Sequence, residues 1–89
     1  MNFIEQCEDF LCRLFAYVAD DVLKVVDGDS AAKEWGYTDD EAQRVAQYLE
    51  EKGLIKRYPV VGGVGGIALT AEGIDYAMNM CWRFIRYSV

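Results

Sequence analysis

The sequence predicts a mainly helical α+β fold built as one small domain over 1–89. Three observations carry this. Apolar residues recur every three or four positions through 2–26, 38–52 and 71–87, the helical spacing. Two short runs, 54–61 and 66–70, flank the glycine-rich VGGVGG and read as paired strands. The 89 residues, of which 53% are hydrophobic, suffice for one core and no more.

The first helix is predicted over 2–26. Ile4, Cys7, Leu11, Leu14, Val18, Val22 and Val25 form a stripe, with Glu5, Asp9, Arg13, Asp20, Lys24 and Asp27 opposite. Phe3, Phe10, Phe15, Tyr17 and Leu23 widen the apolar surface beyond one face. A helix apolar on several sides in so small a domain predicts burial against another subunit. Gly28 suits the position after its end.

A short second helix follows over 30–35, with Asp29 or Ser30 as N-cap, Gly36 as its stop and Trp35 as a core anchor. The third helix, 38–52, places Ala42, Val45, Ala46 and Leu49 on one buried face. Thr38 and Glu41 have the spacing of a capping box, and Asp39 and Asp40 in the first turn offset the helix dipole. Gly53 ends this helix. In the hairpin, paired glycines supply positive φ for a tight turn, and Pro59 belongs on an edge. Ile67 and Leu69 face inward and Ala68 and Thr70 outward. Thr70 caps the last helix, 71–87. Ile74, Met78, Cys81 and Ile85 form one stripe there; Ala77, Met80, Trp82, Phe84 and Tyr87 add further apolar surface.

Charge narrows the function classes. Nine Lys and Arg against fifteen Asp and Glu give a net charge of -6. Residues 1–53 hold 5 basic and 13 acidic residues, a net of -8, and residues 54–89 hold 4 and 2, a net of +2. A protein whose affinity comes from phosphates is expected to be basic where it binds. The chain has no histidine, and its three cysteines, Cys7, Cys12 and Cys81, form no CxxC, so no metal site is expected. They read as three buried thiols in a reducing cytoplasm. The start MNFIEQCEDF is acidic where a signal peptide is basic, and the longest uncharged run is too short to span a bilayer. A soluble, cytoplasmic protein with no membrane contact is expected. No base, nucleophile elbow, phosphate loop or cofactor fingerprint stands in the chain, so neither an enzyme nor a cofactor is expected.

The stretches AQYLEEKGLIKR, residues 46–57, and IALTAEGIDYA, residues 67–77, resemble the winged helix-turn-helix superfamily. Residues 46–57 are similar to a recognition helix passing through a glycine into a wing strand. Residues 67–77 are similar to the returning wing strand and the start of the next helix. The similarity covers about residues 30–77. The flanking helices are loosely similar to small dimeric regulators that pair through their terminal helices. The resemblance implies a helix-turn-helix over 30–52, a wing over 54–70 and dimerisation helices at 2–26 and 71–87. It further implies a DNA-binding regulator of transcription-factor type, acting as a homodimer with the third helix in the major groove.

Residue chemistry cuts both ways. Gln43, Arg44 and Gln47 face outward, and such side chains read adenine and guanine edges. Lys33, Lys56 and Arg57 are candidate phosphate contacts. These six form the expected DNA-binding set, with double-stranded DNA as the partner. Equally, Asp40 and Arg44 are spaced as an i, i+4 pair, and glutamines are ordinary solvated residues. The three acids at the helix start repel a polyanion, and the wing tip, 61–66, carries no charge. The alternative is therefore a winged-helix module that binds a protein and no DNA. Phe3, Phe10, Leu14, Phe15, Tyr17, Trp82, Phe84 and Tyr87 are the candidate dimer interface, because aromatics and arginine favour such surfaces.

Overall fold

The computed structural model describes residues 1–81. It is α+β, with four helices and a three-stranded antiparallel sheet: α1 (Phe3–Tyr17), β1 (Val26–Asp27), α2 (Gly28–Glu34), α3 (Asp39–Glu51), β2 (Ile55–Tyr58), β3 (Gly66–Leu69) and α4 (Ala71–Met80). The strand order is β1-β3-β2. Val26 pairs with Ile67, and Ile55 pairs with Leu69.

The helix starts follow capping chemistry. Asn2 and Glu5 close a capping box on α1, and Thr38 and Glu41 close the expected one on α3. Thr70 Oγ1 accepts from the Gly73 N–H at 2.9 Å and donates to the Gly53 carbonyl at 2.6 Å, tying the start of α4 to the end of α3. Gly36 and Gly53 follow α2 and α3 with φ of 84° and 75°.

Four expectations are corrected. The predicted helix 2–26 stops at Tyr17. Val18 is fully buried, and turns through Asp21 and Lys24 carry the chain to β1. Asp20 and Asp21 oppose the negative end of a helix dipole, and the β-branched Val18, Val22, Val25 and Val26 are weak helix formers. Helix α2 begins at Gly28, and its N-cap is Asp27, whose carboxylate accepts from the Asp29 and Ser30 N–H groups. Strand β3 is central rather than one-sided, so Ala68 is buried along with Ile67 and Leu69. Finally, Cys12 and Cys81 are joined by a disulfide, leaving Cys7 as the free thiol. All three sulfurs are buried, as expected, but a reducing cytoplasm can no longer be argued from free thiols.

The main core lies where α1 and α3 meet the sheet. Phe10, Leu11, Leu14, Val45 and Ile67 are completely buried there. Phe10 meets the rings of Trp35 and Tyr37 edge-on at 5.3 and 5.4 Å, so Trp35 is the core anchor predicted for it. A second, smaller cluster of Cys12, Ala77 and Cys81, with Phe15 and Met80 against it, seals α4 onto α1. The remainder of the predicted last helix, 82–87, lies outside the described residues. Among those residues no helix is long and apolar enough to cross a membrane.

Candidate functional site

The exposed side of α3 and the hairpin beside it carry the candidate residues. With Ala42, Val45, Ala46 and Leu49 inward, as predicted, Asp40, Gln43, Arg44 and Gln47 line one shallow surface groove. Asp40 and Arg44 share it without forming an ion pair. The Gln47 amide donates to Glu51 Oε1 at 3.3 Å. Glu41 is occupied structurally: its carboxylate accepts from the Thr38 N–H at 2.9 Å and from the Gln6 amide of α1 at 2.9 Å. Those bonds, the Thr38 contacts foremost, hold its carboxyl below the usual carboxylate range, and Arg44 adds to the effect. Glu41 thus fixes the helix start and its junction with α1, while Asp40 keeps a negative charge on the groove.

The hairpin is built differently from the tight turn predicted. Residues 59–65 form its loop, and Val64 folds inward until it is 1% exposed. Two charged side chains hold it there. The Asp29 carboxylate accepts from the Val64 N–H at 2.8 Å and the Gly65 N–H at 3.0 Å. Arg57 donates from Nε at 3.2 Å and Nη2 at 3.1 Å to the Val64 carbonyl. The Val64 and Gly65 amides hold the Asp29 carboxyl below its ordinary range, with Arg57 assisting. Gly65 has φ of 83°, and a Cβ there would strike the Tyr58 carbonyl, so only glycine fits.

The expected DNA-binding residues therefore separate. Gln43, Arg44 and Gln47 gather on α3. Arg57 is turned to the Val64 carbonyl and to Glu50, 3.7 Å away, with a side chain only 14% exposed. Lys33 and Lys56 are exposed but line neither the groove nor the loop clamp. Sequence reasoning missed Asp29, which it took for a cap. The signal was there in part: an acid beside a glycine-rich loop is a natural acceptor for its free amides.

The candidate interface residues separate too. Phe10 and Leu14 are fully inside the chain's own core, which corrects their expected place on a dimer surface. The α1 face that carries them packs against α3, with the Trp35 and Tyr37 rings edge-on to Phe10. Phe15 is half-buried against α4, while Phe3 and Tyr17 remain exposed. Trp82, Phe84 and Tyr87 lie outside the described residues.

A different apolar surface surrounds the hairpin. Val25 and Val60 line one depression over Gly65 and Gly66, and Val25 and Tyr58 flank Gly66. Val60 is 57% exposed, and Val61 beside it is fully exposed. Asp27 and Asp29 line the same depression and make its rim acidic.

Among the described residues no group of three His, Cys, Asp or Glu side chains could hold a metal ion. Burial, with Glu8 adding to it, pushes the Cys7 thiol up to about 11, so it is a poor nucleophile near neutral pH. Burial first, and the bond to Asp9 second, raise the Tyr37 hydroxyl well above its ordinary value. No family model, curated protein or solved structure matches the chain.

Proposed function

We propose that the chain is a winged-helix domain whose hairpin and neighbouring strand bind a protein partner. Support for the winged-helix reading comes from the element order helix, strand, helix, helix, strand, strand, helix with sheet order β1-β3-β2. The observation that carries the interaction reading is the state of the hairpin. Its arginine, Arg57, is committed to Val64, Lys56 is left as its single exposed cation, and its loop end presents Tyr58, Val60 and Val61 outward. A wing that meets phosphates needs several free cations near its tip, whereas bare aliphatic side chains gain by leaving water. The acidic rim at Asp27 and Asp29 matches a partner segment with apolar side chains between basic ones.

A second reading keeps one observation in its favour. Gln43, Arg44 and Gln47 stand side by side on the exposed face of α3, the groups that read base edges from a recognition helix. In that reading the protein is a DNA-binding regulator working as a homodimer, with Lys33 and Lys56 on phosphates.

A photo-crosslinking residue at Val61 and another at Gln43 separate the two. The interaction reading expects protein adducts from position 61 and no nucleic acid from position 43. Nucleic-acid adducts at 43, with none of any kind at 61, transfer the function to α3.

A further inference from the structure

A second surface lies away from the hairpin, where α1, α3 and α4 leave a cleft of about 210 Å³. Its depth is apolar, with Cys7, Leu11 and Leu49 all nearly fully buried. Its mouth carries one acid and one base, Glu8 from α1 and Lys52 from the end of α3. Among the described residues neither joins an ion pair; the Lys52 ammonium instead lies 5.5 Å from the Tyr48 ring centroid. Large apolar side chains stand exposed at the cleft on α1 and α4: Ile4, at 50%, and Tyr76.

We infer that this cleft is a self-association surface whose occupant is a second copy of the chain, docked about a two-fold axis. A two-fold interface sets residue i of one protomer against residue j of the other, and j against i. An apolar patch bearing one acid and one base satisfies that rule with itself: Glu8 faces Lys52 of the partner subunit, and Lys52 faces Glu8 of the partner subunit. The chain also supplies its own plug. A cavity of roughly 150 Å³ takes a benzene ring, so this one holds an aliphatic side chain of the size of Ile4. Ion pairs at the rim set partner and register, and burial of the apolar side chains supplies the affinity. The inference gives the expected pairing of terminal helices a definite place, and it stands whether the hairpin meets protein or DNA.

Sedimentation of the full chain tests it. The wild type is expected to dimerise in the micromolar range. Glu8→Lys and Lys52→Glu are each expected to weaken pairing at least about tenfold, since each sets like charges together at both ends of the interface. Mixed in equal amounts, the two variants are expected to form a heterodimer, because the first brings only lysines to the contact and the second only glutamates. Circular dichroism shows whether each variant folds; should either fail, Glu8→Gln and Lys52→Gln serve, each expected to weaken pairing. A wild type that stays monomeric at high micromolar concentration overturns the inference. So does a mixture no more associated than its components, the result if Glu8 and Lys52 act only within one chain. Dimers indifferent to every one of these substitutions overturn it as well.

Discussion

Asp29 and Arg57 decide what the hairpin presents. One takes the amides of Val64 and Gly65, the other takes the Val64 carbonyl, and the loop tip is left uncharged. Asp29→Ala strips two charge-assisted bonds from the loop and is expected to destabilise the domain by about 1 kcal/mol, discounted for solvent exposure. Thermal melting should fall by roughly 4–8 °C; an unchanged melting temperature means the loop holds without its clamp. The two depressed carboxyls also set a pH dependence. Asp29 and Glu41 bind a proton less readily folded than unfolded, so their stabilisation is complete above their unfolded values of about 4. It is lost as pH falls through the lower folded values. Denaturant midpoints should therefore drop below about pH 4, and less so in the double variant Asp29→Asn, Glu41→Gln.

At the scale of elements, the Cys12–Cys81 bond fastens α4 to α1 across 69 residues of sequence. Closing a loop of that length stabilises by about 4 kcal/mol in the chain-entropy account. Cys12→Ser is expected to lower urea stability by about 2–4 kcal/mol, and reductant should do the same to the wild type. Equal midpoints with and without reductant would show α4 held by Ala77 and Ile74 packing alone.

The same elements show what could be read in advance. The inward face of α3, its capping box, Thr70 as a cap and the order of the predicted elements were legible because they rest on neighbours three and four residues apart. The end of α1 was not. Apolar periodicity continues through Val25 and masks the local stop signals of Asp20 and Asp21, and the pairing that takes Val26 into the sheet is with Ile67, some forty positions away. The disulfide was hidden for the same reason, since no spacing rule joins Cys12 to Cys81. In the candidate site, the outward Gln43, Arg44 and Gln47 followed from helix geometry, but the commitment of Arg57 depends on a loop folding back onto it.

For the molecule as a whole, the distribution of charge and apolar surface favours a protein partner. Helix α3 with its cap Lys52 carries Asp39, Asp40, Glu41, Glu50 and Glu51 against Arg44 and Lys52, a net of -3. Gln43, Arg44 and Gln47 thus sit in a negative field, while exposed aliphatic groups lie at the hairpin. Val60→Ser with Val61→Ser is expected to abolish adducts from a crosslinker placed at Tyr58 and to leave melting within about 1 kcal/mol of wild type, since exposed residues hold little of the fold. Adduct yield that survives both changes places the contact elsewhere.

Whether the proposed surface meets protein rather than DNA is decided by a fluorescence anisotropy titration of pooled random duplexes across salt. Binding driven by phosphates is strongest at low salt and weakens steeply as salt rises. No binding of duplex is expected even at about 20 mM salt, where electrostatic attraction is least screened. Binding at low salt that falls steeply with added salt, and that Arg44→Ala reduces by about 1 kcal/mol or more, would contradict it.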